Sequence, residues 1–190
     1  MWPHACGDRG DDLREPSESE KAEIRGKITA LDRQVGFDVV TPPYFPSDLN
    51  PVPATDHVPR PTHDSAFLFF SRRGDVNLTD RPAIDSIRLI EEFDPKRITC
   101  PPCSAESSRA TGGIQLAGQA VFEDIRVSED GVLTHQLAFR VGDVHIDLEL
   151  KWIVSSVGSG EFPSDARDTG LAVVERTLTD GERPGGPPQS

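Results

Sequence analysis

Between residues 133 and 152 apolar and polar positions alternate in two runs separated by Gly142-Asp143. Leu133, Leu137, Phe139 and Val141 hold one phase before the break, and Val144, Ile146, Leu148, Leu150 and Trp152 hold it afterwards. A two-residue beat puts alternate side chains on one face of a strand, and Gly-Asp between two such runs is the chemistry of a two-residue hairpin turn. That turn pairs Val141 with Val144, Phe139 with Ile146, Leu137 with Leu148 and Leu133 with Trp152. Every apolar side chain then shares a face, whereas a slip of one residue would scatter them over both. The opposite face carries Thr134, Gln136, Arg140, His145, Asp147, Glu149 and Lys151, which water is expected to solvate. His135 falls in the apolar phase opposite Leu150 and reads as a hydrogen-bonded core or rim histidine.

Upstream the period changes. Ile24, Ile28, Leu31 and Val35 recur at i, i+4, i+7 and i+11, which predicts an amphipathic helix from about 18 to 35. Ser17 with Glu20 three positions on forms a capping box at its start, and Gly36 ends it; Gly26 weakens the helix without forbidding it. Phe37-Asp38-Val39-Val40 is a short extended piece. Prolines from Pro42 to Pro61 then exclude helix from a long loop. Strands are expected at 66–70, 84–93, 114–116 and 119–127, and a closing helix capped by Ser164 or Asp165 buries Leu171, Val174 and Leu178. The layout is α+β, an antiparallel sheet with an N-terminal and a C-terminal helix on one face.

A chain of 190 residues supports one domain with a core. Residues 1–19 read as a disordered tether, 20–178 as the single domain and 179–190 as a disordered tail, because both ends lack apolar surface to offset ordering entropy. Acidic residues outnumber basic ones 32 to 20, a formal charge of −12 that repels a phosphate backbone, so nucleic acid is not an expected partner. No stretch reaches the roughly 20 apolar residues of a membrane span. Ala5-Cys6-Gly7-Asp8, followed by an acidic run, resembles the start of a mature bacterial lipoprotein, although Pro3 and His4 stand where a lipobox has an aliphatic and a small residue. That resemblance implies lipidation of Cys6 and membrane contact through the anchor alone.

Val35-Gly36-Phe37-Asp38-Val39 followed by Pro43-Tyr44-Phe45-Pro46 resembles the "GF.v..P.ylP" opening of an uncharacterised family of bacterial envelope and anti-sigma-associated domains. Ile114 to Ala120 is similar to that family's "v.vnG..a" strand. Leu148 to Trp152 and Val173 to Leu178 resemble its closing strand and helix, so the likeness spans roughly residues 28 to 178. Such domains are distantly similar to the half-open barrels of periplasmic lipoprotein carriers and sigma-factor regulators. The resemblance implies a twisted half-barrel, an envelope location and binding in place of catalysis; it assigns no functional residue.

Cys100-Pro101-Pro102-Cys103 is the sharpest local motif. Two thiols at this spacing suit a redox disulfide, half of a zinc site, or a disulfide that staples a loop. Thioredoxin-type chemistry needs a strand and helix around the pair, and that pattern is missing, so Cys100 and Cys103 are expected to form a structural bridge. A zinc site would add His57 and His63, which sit in the proline-rich loop with no helix to orient them and read as solvated histidines; no metal or other cofactor is expected. Asp147 and Glu149 share a strand face, as an acid and base pair or as a solvated surface flanked by His145 and Lys151. The reading is a non-enzymatic domain of the cell envelope, tethered or secreted, with a cytoplasmic home left open. It binds a protein segment or an apolar ligand, with Tyr44 and Phe45 in the mobile loop from Pro42 to Thr62 as its rim. The rival is a thiol-disulfide oxidoreductase acting through Cys100 and Cys103.

Overall fold

The computed structural model describes residues 13–54, 58–74, 83–93, 110–127, 132–153 and 164–180. The predicted hairpin is its centre: β7 (Val132–Val141) and β8 (Val144–Ile153) pair antiparallel in the expected register, with Leu137 opposite Leu148 and Leu133 opposite Trp152. Gly142 takes a φ of +62 at the first turn position, where a type II′ turn needs glycine.

Strands add on both sides of this hairpin. β4 (Ala83–Phe93) pairs with β8 and β3 (Ser65–Ser71) with β4; β6 (Gln119–Val127) pairs with β7 and β5 (Ala110–Leu116) with β6. The result is one open antiparallel sheet in the order β3-β4-β8-β7-β6-β5, not closed into a barrel. A bulge between Ile84 and Ser86 shifts the register of β4, so Ile84 and Ile87 both lie buried despite their odd spacing.

Two helices complete the α+β layout. Helix α1 (Glu18–Asp32) starts at the predicted capping box: Ser17 Oγ accepts from Glu20 N–H at 3.3 Å, and Glu20 Oε2 accepts from Ser17 N–H at 2.8 Å. It ends at Asp32, earlier than the apolar period suggested, and Val35 reaches the core from the turn that follows. Helix α2 (Ser164–Asp180) lies against β7 and β5 and buries Leu171, Val173 and Val174. Ile24 and Ile28 of α1 share one hydrophobic core with Phe70, Leu89, Leu148, Leu137 and Phe139 of the sheet.

Four expectations are corrected. The fold begins before residue 20: β1 (Leu13–Arg14) pairs with β2 (Phe45–Pro46), Pro16 is buried, and Arg14 binds the Glu20 carboxylate at 2.9 and 3.1 Å. At the other end the helix carries residue 179 to Asp180. The proline-rich loop is tied to the sheet edge, since Asn50 N–H donates to Ser71 O at 2.9 Å and Ala54 N–H to Phe69 O at 2.8 Å. Prolines forbid helix but leave the intervening amides free to bond an edge strand. The sheet face opposite the helices is also drier than expected: His145 is 5% exposed and Ala138 1%. Polar side chains on this face bond one another, Gln136 donating to both oxygens of Asp147 at 2.8 Å and Arg88 to Glu149 at 3.1 Å.

Candidate functional site

Helix α1 and residues 41–44, the second half of a strap that runs from 38 to 44, face each other across a groove of about 390 Å³. Ile24 and Ile28, one helical turn apart, form its apolar floor, and Pro42, Pro43 and Tyr44 form the opposite wall. Glu15, Glu18, Lys21, Arg25 and Asp180 ring its mouth. Prolines hold this wall extended because their fixed φ and missing N–H prevent it from coiling. The strap is pinned along its length. Val39 N–H donates to Asp32 Oδ1 at 3.0 Å, Val40 N–H to Glu91 Oε2 at 2.9 Å, and the Arg176 guanidinium sits 5.3 Å from the centre of the Tyr44 ring.

The charges at the mouth are largely spoken for. Lys21 Nζ meets Glu15 at 2.5 Å and Glu18 at 2.9 Å, which raises the Lys21 ammonium above its usual range and holds Glu18 below its own. Asp180 pairs with Arg176 at 3.3 Å. Arg25 is exposed and forms no salt bridge with a described residue, although its charge helps hold the Glu18 carboxyl down. Behind the strap lies a second cavity of about 300 Å³, bounded by residues 36–40, Phe93 and Val141 to Val144, where the Phe37 and Phe93 rings stack at 6.1 Å.

The other concentrations of chemistry are internal. Glu123 on β6 and His135 on β7 project from the covered sheet face, 2.9 Å apart and both fully buried, and Arg167 of α2 grips Glu123 at 2.8 and 2.7 Å. Burial alone would raise Glu123, but the hydrogen bonds from His135 and Arg167 outweigh it and bring the carboxyl down to about 2. Gly170 passes over the His135 ring so closely that a Cβ there would lie 2.4 Å from Nδ1. This triad fastens α2 to the sheet, with Glu123 and His135 fully buried and Arg167 42% exposed. Glu91, on the same face, is fully buried and held up at about 8, burial opposing the Val40 hydrogen bond with Asp32 adding like charge.

Of the residues singled out from sequence, Tyr44 lines the groove, half-buried. Phe45 is corrected: it has 0% exposure, its ring packs 5.0 Å from Phe70, and a side chain sealed in the core cannot serve as a rim. His135 is the buried, hydrogen-bonded histidine expected opposite Leu150. His63 is an exposed loop histidine bound to Asp64 at 2.8 Å. Asp147 and Glu149 turn to different partners: Gln136 takes the first, Arg88 and Lys151 the second. Burial raises the Asp147 carboxyl against the pull of Gln136. Cys6, His57, Cys100 and Cys103 lie outside the described residues. Among those that are described, no three His, Cys, Asp or Glu side chains are grouped to hold a metal, and no helix is long and apolar enough to cross a membrane.

Glu91 and Glu123 escaped the sequence reading, although each stands in the apolar phase of its strand, after Ile87 and Leu89 in one case and between Val121 and Ile125 in the other. An acid in phase with core positions was the available signal. Comparison with protein families, with curated proteins and with solved structures finds no match for the chain.

Proposed function

We propose that the protein is a non-enzymatic binding domain whose groove between α1 and residues 41–44 takes a short protein segment or an apolar ligand. The observation that carries this reading is the groove's composition: an apolar floor from Ile24 and Ile28, an aromatic and two prolines on the facing wall, and an exposed Arg25 at the mouth. Its 390 Å³ falls in the range of about 300–1,000 Å³ typical of ligand sites. The titratable clusters Glu123–His135–Arg167 and Glu91–Asp32, by contrast, are occupied in holding elements together. The ligand matching these walls is an extended segment with two apolar side chains and an acidic group beside Arg25.

Selection of displayed random peptides on the whole chain tests the reading. Enriched sequences should share an acidic residue next to apolar ones, and Tyr44→Ala and Arg25→Glu should each weaken binding about tenfold or more, a loss of at least ~1.4 kcal/mol, while leaving thermal stability within a few degrees. No enrichment over an unrelated protein, or indifference to both substitutions, removes the proposal. An envelope location belongs to the same reading and rests on the Cys6 context. Cell fractionation should find the protein with membranes, and Cys6→Ser should release it.

A further inference from the structure

Two consecutive amides of the strap are held by two carboxyl groups from different elements, Val39 by Asp32 at the end of α1 and Val40 by Glu91 on β4. The two acids differ in their surroundings. Asp32 is half-buried, whereas Glu91 has no exposed surface and its Oε1 has no hydrogen-bond partner. On the covered face the residues paired with Glu91 are Ala66 of β3 and Ile146 of β8, both apolar, and its neighbours in phase along β4 are Leu89 and Phe93. Among the described residues no cation pairs with it, and the charged group that acts on it is Asp32, of the same sign. The strap also divides two spaces. Its first half bounds the cavity behind it and its second half walls the groove, with the Asp32 and Glu91 contacts at the division.

We propose that Glu91 is a proton-controlled latch on the strap: protonated, it holds Val40 against the sheet, and deprotonated, it releases residues 38–44 and reshapes the groove they wall. In the closed state the proton resides on Oε1, leaving Oε2 to accept from Val40. Loss of that proton puts a carboxylate in apolar surroundings with one N–H to bind it and a second acid nearby. Val40 is the strap residue bound to that carboxylate, so its withdrawal is a movement that lets water in, at the cost of uncovering Val39 and Val40, 0% and 4% exposed in the closed state. Since the carboxyl is held near 8, the transition falls at mildly alkaline pH.

The latch acts on the groove of the proposed function, but its test uses no ligand, so a failure to find one leaves it standing. Side-chain carboxyl and backbone amide resonances of the whole chain are followed by NMR from about pH 5 to pH 10. The Glu91 carboxyl should titrate around pH 8, and the amides of Val39, Val40, Thr41 and Tyr44 should move with the same midpoint. Protection of the Val40 amide, corrected for the intrinsic pH dependence of exchange, should fall about tenfold within one pH unit above that midpoint. Glu91→Gln keeps an oxygen acceptor without the charge and should leave the strap amides still across the range. Should that variant not fold, Asp32→Asn in an otherwise native chain should lower the Glu91 midpoint by removing the like charge. A Glu91 carboxyl that titrates in the ordinary carboxylate range overturns the proposal. So do strap amides that stay still while Glu91 ionises, strap amides that keep their midpoint in Glu91→Gln, or an Asp32→Asn chain with an unmoved midpoint.

Discussion

Gly26 and Gly170 are both helical glycines, yet the same substitution has opposite signs at the two. A Cβ at Gly26 meets nothing within 4 Å, so Gly26→Ala should stabilise the protein by up to about 1 kcal/mol through helix propensity. At Gly170 the new methyl would lie 2.4 Å from His135 Nδ1 and 2.8 Å from its Cε1, so Gly170→Ala should lower the melting temperature by lifting α2 off the ring. Thermal melts of the two variants, side by side, check both. Trp152, 6% exposed, should cost about 3–5 kcal/mol when truncated to alanine. Glu91 supplies a prediction whose size depends on pH. Its folded carboxyl sits near 8 against an ordinary 4.5, so the stability it lends is whole below 4.5 and is lost as pH rises through 8. Glu91→Gln should therefore melt above the native chain near pH 9 and lose that advantage near pH 5. At this scale the apolar phase was legible wherever a side chain obeyed it. His135 could be placed among the core positions from its beat alone, whereas Arg167, the cation in its cluster, is 32 residues away in sequence and meets it through tertiary packing.

Elements announce themselves when their signals are local. The capping box at Ser17 and Glu20 was readable because both halves of it lie within one turn. Leu13–Arg14 was not readable, since a two-residue strand has no period and its partner Phe45–Pro46 lies far along the chain. Glu20 joins these parts: it accepts from Arg14 and Ser17, pairs with Arg73 beyond β3, and the Arg14 hydrogen bonds, ahead of the Ser17 amide, bring its carboxyl down to about 2. A chain that starts at residue 20 should be destabilised by more than the ~1 kcal/mol typical of a lost N-cap, because the β1 pairing and the Arg14 contact go with it; denaturant titration measures this. Helix α2 has its own fastening in Glu123, whose folded carboxyl lies near 2, below the ordinary 4.5. That contribution is complete above 4.5 and disappears as pH falls through 2. Arg167→Met should destabilise the protein at neutral pH toward the low end of the ~3–5 kcal/mol seen for broken buried pairs, Arg167 being 42% exposed, and should flatten the loss of stability on acidification.

For the whole molecule, the sheet's central hairpin and the helices at either end were accessible from patterning, and the candidate groove was accessible only through Tyr44. Ile24 and Ile28 read as core positions, and nothing in their spacing says that the strap leaves a space over them. Strand order was equally hidden, because β4 pairs with β8 across more than fifty residues, Phe93 lying opposite Val144. That separation has a consequence for synthesis on the ribosome. Strands β5 to β8 form a meander of neighbours and can assemble as they emerge, but β4 appears well before the strand that completes its inner side. From Phe70 to Leu150 is 80 residues, roughly 4–16 s of elongation, and Ile87 and Leu89 wait within that interval for Leu150 and Leu148, the β8 residues they pair with. The N-terminal half is thus a waiting half: in a cell-free translation halted before residue 144, its aromatic strand should be held by chaperones or lost to aggregates, and release of the full chain should rescue it.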